Sequence, residues 1–171
     1  ALWASKGLTP AAVIGYSVGE IAAAVAAGAL EKISAARFVC RRAAILQRLS
    51  GQGGMLMVNL PFDDVKTRLG QEVRVVAAIA ASPASTIISG DIGAISQICD
   101  DWAEEGLVTR RVATDVAFHS PHIDRVREDI RAACAGLVHL TPAIEMYNTT
   151  LNDPRAQVSR DAEFWVRNAR D

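Results

Sequence analysis

Apolar positions along the chain fall into short runs that switch between two periods. Ala11-Ala12-Val13-Ile14-Gly15 is a brief apolar run with strand character, and Ile21–Gly28 reads as a small-residue helix able to pack close to a sheet. A second helix is expected over about 34–49, with Ser34 as its N-cap. From residue 54 the element types alternate. Met55–Leu60 reads as a strand, Asp63–Leu69 as a short helix behind Pro61, and Val73–Ile79 and Thr86–Ser89 as strands. Asp91 can cap a helix whose apolar positions Ile92, Ile95, Ile98, Cys99 and Trp102 keep helical spacing; Gly106 ends it, and Val108–Val112 is a strand. That order, βαββαβ over about 54–113, is a ferredoxin-like unit. Ile123, Val126, Ile130, Ala133, Cys134 and Leu137 mark a further amphipathic helix, and Pro142–Leu151 reads as a strand returning to the main sheet. An α/β fold in three segments is therefore expected: 1–53, the small unit 54–113, and 114–171.

The two ends add an expectation about context. The chain opens on what reads as the last turn of a helix stopped by Gly7, and it closes on Phe164-Trp165-Val166-Arg167-Asn168, aromatics that want partners. A piece of a longer polypeptide is expected.

Composition narrows the function classes. Half of the 171 residues are hydrophobic and 22% are charged, which is globular composition rather than disorder. Eighteen basic and nineteen acidic residues leave a net charge of −1, no electrostatic footprint for nucleic acid or an anionic membrane. The longest uncharged apolar run, Ile21–Leu30, is too short to cross a bilayer, and no basic-then-apolar start resembles an export signal. Cys40, Cys99 and Cys134 are odd in number and far apart, so they read as reduced thiols of a cytoplasmic protein and not as metal ligands.

Gly15-Tyr16-Ser17-Val18-Gly19 fits G-x-S-x-G in the context that pattern needs: strand, tight turn, helix. The glycines permit a strained turn that lifts the Ser17 hydroxyl out of the sheet, and the helix N-terminus with the Val18 N–H can stabilise an oxyanion. The plain alternative is a glycine-rich connection with an N-cap serine. A serine nucleophile needs a base, and the chain offers three histidines. His119 lies in an irregular segment between a strand and a helix, where site residues concentrate; His122 falls in the first turn of the next helix, and His139 follows that helix's end. His119 is the favoured base. Arg42 shares a helix face with Phe38, Val39, Ile45, Leu46 and Leu49, while Arg37, Arg41 and Arg48 lie elsewhere. A charge in an apolar stripe is costly unpaired, so Arg42 needs either a protein carboxylate or an anionic ligand, which its planar guanidinium can hold with two hydrogen bonds.

Taken together, Gly15–Glu20, Ala27-Gly28-Ala29-Leu30, Arg42, Gly54-Met55 and Ala117-Phe118-His119-Ser120 resemble the acyltransferase domain of polyketide synthases. They are also similar to the malonyl-CoA:acyl-carrier-protein transacylases. The resemblance extends from end to end, and Ala81–Thr86 with Leu151–Arg155 look most like the mycobacterial-type lipid synthases. The resemblance implies an α/β-hydrolase-like core carrying the ferredoxin-like insert. It implies that Ser17 attacks the thioester of malonyl-CoA, or of methylmalonyl-CoA, with His119 as base. The acyl group then passes to the phosphopantetheine thiol of an acyl carrier protein. Arg42 would hold the free carboxylate of the unit, Val18 would serve the oxyanion, and Tyr16, Ala117 and Phe118 would shape extender selectivity. Backbone carbonyls in the Asn148-Thr149 segment would orient the histidine. Phe118 before the histidine goes with malonyl, where serine goes with methylmalonyl. No bound cofactor or metal is implied. The implied partners are the carrier protein, the ketosynthase and neighbouring synthase domains, with no nucleic acid and no membrane.

There are departures. Tyr16 stands where the family usually has histidine, and Ala81-Ser82 replaces a common Asn-Gly. The family's glutamine-bearing N-terminal segment is not in this sequence, so the chain by itself is expected to be inactive. A serine hydrolase or thioesterase is the alternative enzyme. It would want a carboxylate between Ser17 and His119, and Asp115 lies only four residues before the histidine, too close to orient it. Arg42 would also have no duty there. A non-catalytic carrier-docking domain would have no need of Ser17, His119 and Arg42 together.

Overall fold

The computed structural model describes residues 2–156 and 158–171. The chain divides into two compact units, Ala1–Arg42 with Ile130–Asn168, and Ala43–Asp129 with Ala169–Asp171. Among the described residues no helix is long and apolar enough to cross a membrane.

In the first unit a helical turn, α1 (Leu2–Ser5), precedes β1 (Ala12–Ile14). β1 runs into α2 (Gly19–Ala26). The strand expected over 142–151 is β6 (Glu145–Tyr147), which pairs parallel with β1 in the register Ala12↔Glu145, Val13↔Met146, Ile14↔Tyr147. The alanines of α2 let it lie close: Ala23 and Ala24, with Ala27 at its C-cap, are buried with Ile21. α3 (Lys32–Gln47) follows. Its cap differs from expectation. Glu31 accepts from the N–H groups of Ile33 at 2.8 Å and Ser34 at 2.6 Å, while Ser34 Oγ donates to the Glu31 carbonyl at 3.0 Å. The carboxylate reaches the first-turn donors and complements the positive end of the helix, so Ser34 sits inside the helix and not at its cap. These hydrogen bonds hold the Glu31 carboxyl below its ordinary value.

α7 (Ala162–Arg170) carries the aromatics of the C-terminal segment. They do not lack partners. Trp165 is fully buried, its ring 5.7 Å from Phe38 and 5.0 Å edge-on from Phe164. Trp3, by contrast, is 70% exposed.

In the second unit the elements are β2 (Gly53–Val58), α4 (Phe62–Leu69), β3 (Val75–Ser82), β4 (Ser85–Asp91), α5 (Ile92–Glu104) and β5 (Thr109–Arg111). The βαββαβ order matches the sequence reading. The strands form one antiparallel sheet in the order β3-β4-β2-β5. Its core holds Leu56, Val58, Val65, Val75, Ile88, Ala94, Ile95 and Trp102. Asp91 caps α5 as expected, accepting from Gly93 and Ala94 N–H at 3.0 Å each. The helix expected around Ile123 begins as a 3-10 turn, Pro121–Val126, and continues as α6 (Arg127–Ala133), whose residues from Ile130 onward are assigned to the first unit.

Candidate active site

Between β1 and α2 the backbone turns within four residues. At Gly15 a Cβ would lie 2.1 Å from the Gly19 carbonyl oxygen, so strand and helix start can approach this closely only without a side chain. Ser17 then takes φ +49°, the left-handed region, which costs a residue with a Cβ about 1–2 kcal/mol. The turn closes through Gly19 N–H to Tyr16 O at 2.8 Å and Glu20 N–H to Ser17 O at 3.0 Å. Ser17 is half-buried, and Tyr16 and Val18 on either side are about half exposed. Burial raises the Tyr16 hydroxyl above its ordinary pKa.

Directly after the turn stands a buried polar cluster that the sequence reading missed. Glu20 is fully buried. Its carboxylate accepts from the Thr149 N–H, from Thr150 Oγ at 2.7 Å and from Asn168 Nδ2 at 3.0 Å. Thr149 thus serves Glu20 and the turn. Asn148, also buried, folds its own loop: Nδ2 donates to the Asp153 carbonyl at 3.1 Å and Oδ1 accepts from Leu151 N–H at 2.8 Å.

Arg42 lies on α3 and is 6% exposed, with Phe38 and Leu46 of its stripe buried as well. Its Nε is buried and meets no hydrogen-bond acceptor, and no carboxylate among the described residues pairs with it. Burial lowers its pKa, with Cys134 acting in the opposite direction. Among the described residues, the first of the two partners the sequence allowed, a protein carboxylate, is not seen. Leaving a buried cation uncompensated is costly.

His119 is buried at 6% exposure, with φ +56°. Its Nδ1 lies 3.1 Å from the Asp171 carbonyl oxygen. A carbonyl only accepts, so in this contact Nδ1 carries a proton and donates. The Asp171 carbonyl is thus one partner of the ring, while in the Asn148-Thr149 segment the Asn148 amide serves the 151–154 loop and the Thr149 N–H serves Glu20. The backbone around the histidine is fixed closely. Ser89 Oγ donates to the Phe118 carbonyl at 2.5 Å, Ser120 Oγ donates to the Ala117 carbonyl at 2.8 Å, and a Cβ on Gly53 would fall 2.5 Å from that of Ala117. Asp115 is engaged elsewhere, accepting from Ser50 Oγ and from Gly51 N–H at 3.1 Å. The other histidines have different surroundings. His122 is half-buried in the 3-10 turn, held below its ordinary pKa by burial and then by Arg125. His139 is exposed, its Nε2 2.8 Å from the Arg160 carbonyl.

Comparison with known proteins places the chain in a family. The family described as "Acyl transferase domain" matches residues 1–171. The chain is 48% identical over 170 residues to 5-methyl-1-naphthoate synthase of Streptomyces sahachiroi, covering 99% of this chain and 10% of that protein. It is 39% identical over 168 residues to a mycocerosic acid synthase-like polyketide synthase of Mycolicibacterium smegmatis, covering 97% of this chain and 8% of that protein. The chain thus spans about a tenth of the curated relatives it matches. Among solved structures, the acyltransferase domain of phenolphthiocerol/phthiocerol synthase A from Mycobacterium bovis superposes with a TM-score of 0.93 at 35% identity, covering 99% of this chain and 65% of that one. The mycobacterial likeness seen in the sequence is therefore present, beside higher identity to 5-methyl-1-naphthoate synthase. The chain belongs to the acyl transferase domain family, among the acyltransferase domains of polyketide synthases.

Proposed function

We propose that this acyltransferase takes a malonyl unit from malonyl-CoA and passes it to the phosphopantetheine thiol of an acyl carrier protein, through an ester on Ser17. The observation that carries the choice of substrate is Arg42, a buried guanidinium with no carboxylate partner among the described residues. A malonyl unit brings a free carboxylate, which a guanidinium can hold with two charge-assisted hydrogen bonds. In this reading Ser17 Oγ attacks the thioester carbonyl and His119 Nε2 receives its proton. The Val18 N–H at the head of α2 stabilises the oxyanion, CoA leaves as the thiol, and the carrier thiol attacks the ester in a second round of the same chemistry. Phe118, half-buried beside His119, takes the space an α-methyl group would need, with Ala117 and Tyr16 shaping the rest. The main-chain carbonyl of Asp171 at His119 Nδ1, with Asp115 engaged by Ser50 and Gly51, supports acyl transfer over a hydrolase triad. We assign the architecture as an α/β-hydrolase-like core of segments 1–53 and 114–171 around a ferredoxin-like unit at 54–113. The partners follow from the reaction: a carrier protein and, within the synthase, a ketosynthase, in a cytoplasmic setting without bound cofactor. The test is the mass of the Ser17-bearing peptide after incubation with malonyl-CoA. A malonyl adduct in the wild type that is absent from Ser17→Ala supports the assignment; an adduct formed at the same rate in Ser17→Ala overturns it.

A further inference from the structure

The carbonyl groups of the Ser17 turn are held by side chains from outside the turn. Gly15 O accepts from Thr149 Oγ1 at 3.0 Å, and Ser17 O accepts from Asn168 Nδ2 at 3.1 Å. Both donors belong to the cluster around Glu20. Asn168 Nδ2 lies 3.0 Å from Glu20 Oε2 and 3.1 Å from Thr150 Oγ1, and Thr150 Oγ1 donates to the same carboxylate oxygen at 2.7 Å. Thr149 meets the other oxygen through its N–H, with its Oγ1 3.3 Å away. Glu20 and Asn168 are buried at 0% and 3% exposure. A carboxylate taken out of water is costly even when well hydrogen-bonded, and an apolar residue would fill this space more cheaply. What the polar cluster adds is a grip on two carbonyls that flank a left-handed serine. Backbone strain persists only where the surroundings over-determine it. Without the grip, the residue at φ +49° can relax toward ordinary angles and carry its hydroxyl with it.

We infer that Glu20 and Asn168, joined through Thr149 and Thr150, are positioning residues that hold the Ser17 hydroxyl in its reactive direction. The inference rests on the reading of Ser17 as the nucleophile. Misplacement of a reacting atom by about 1 Å can cost on the order of a hundredfold in rate. That loss belongs in the chemical step and not in substrate affinity.

The experiment follows acylation of Ser17 by malonyl-CoA in the full-length protein, with the rate at saturation and the half-saturating concentration read separately. Asn168→Ala should lower the saturated rate about a hundredfold while half-saturation stays within about twofold. Thr150→Val, which keeps the shape and removes the hydroxyl, should lose about tenfold, and Thr150→Ser should restore most of that rate. A cluster that serves stability alone would lower the melting temperature and leave the saturated rate of the folded protein unchanged, and that result overturns the inference. If Asn168→Ala does not fold, the Thr150 pair decides: equal rates for valine and serine overturn it. Ser17→Ala runs alongside. An adduct that survives in Ser17→Ala overturns the nucleophile reading and this inference with it. An adduct lost there but formed at the wild-type rate in Asn168→Ala and Thr150→Val overturns the positioning role alone.

Discussion

Ser17 and His119 share a backbone conformation that no other described non-glycine residue adopts, with φ at +49° and +56°. Such angles are uncommon outside glycine and tend to cluster at functional sites. Hydrogen-bonded backbone flanks both: Gly15 and the Glu20 cluster border the serine, and the held carbonyls of Ala117 and Phe118 precede the histidine.

Alanine keeps a Cβ at φ +56°, so His119→Ala removes the ring while leaving the backbone demand largely in place. Acylation of Ser17 is expected to slow by roughly a hundredfold or more, the usual worth of a positioned base. His122→Ala and His139→Ala are expected to change the rate little. Single-turnover acylation of the three variants checks this; a collapse of the rate in His122→Ala instead would move the base to that residue.

Arg42→Ala should change the choice of donor and not merely the rate. Losing a charged, buried hydrogen-bond pair costs malonyl-CoA about 2–5 kcal/mol, or roughly 30- to several-thousand-fold in rate. Acetyl-CoA has no carboxylate to lose and should be transferred equally well or better. The readout is the ratio of initial rates for the two donors in wild type and variant. Equal slowing of both would make Arg42 structural.

Gly53→Ala tests how firmly the histidine segment is seated. The new methyl would meet Ala117 Cβ at 2.5 Å and Ala117 N at 2.6 Å, so the backbone two residues before His119 must shift. Overpacking of this kind costs about 1–3 kcal/mol. A lower melting temperature together with slower acylation is expected. A variant matching the wild type in both would show that the 117–119 segment yields freely.

Cys134 is buried and its thiol is pushed up to about 11, first by desolvation. A group whose pKa is raised by folding contributes stability that is complete below its unfolded value and is lost as pH rises through the folded one. The melting temperature should therefore fall between the ordinary thiol pKa of about 8.5 and the folded value, and fall less in Cys134→Ala. Parallel melts of the two proteins across that range give the comparison. Alkylation at neutral pH should label exposed Cys40 well before Cys134; the reverse order would contradict the burial of Cys134.

The small sheet was legible in the sequence because its strands, turns and the Asp91 cap are all local signals. Arg42 was legible for a different reason, as a charge lying in an apolar stripe. Asn168 shows the same signal among Phe164, Trp165 and Ala169 and could have been found by it. Glu20 could not, since an acid in the first turn of a helix is ordinary. The N-cap of α3 was misplaced because serine is the commoner cap, and here glutamate and serine have exchanged their usual capping-box positions. The carbonyl 3.1 Å from His119 Nδ1 belongs to the backbone of Asp171 and so leaves no trace in residue type.

The sheet order β3-β4-β2-β5 leaves two edges, and each discourages a further strand in its own way. β5 is three residues long and two of them are exposed arginines, Arg110 and Arg111, which would meet like charge if a second copy tried to pair there. β3 is longer and carries no charged residue, but its ladder with β4 shifts register between Ala77 and Ile79 and again between Ala80 and Ser82. Those irregularities break the even spacing of outward N–H and C=O groups that an incoming strand needs. The unit is thereby guarded against the edge-to-edge stacking that turns exposed β-sheets into aggregates.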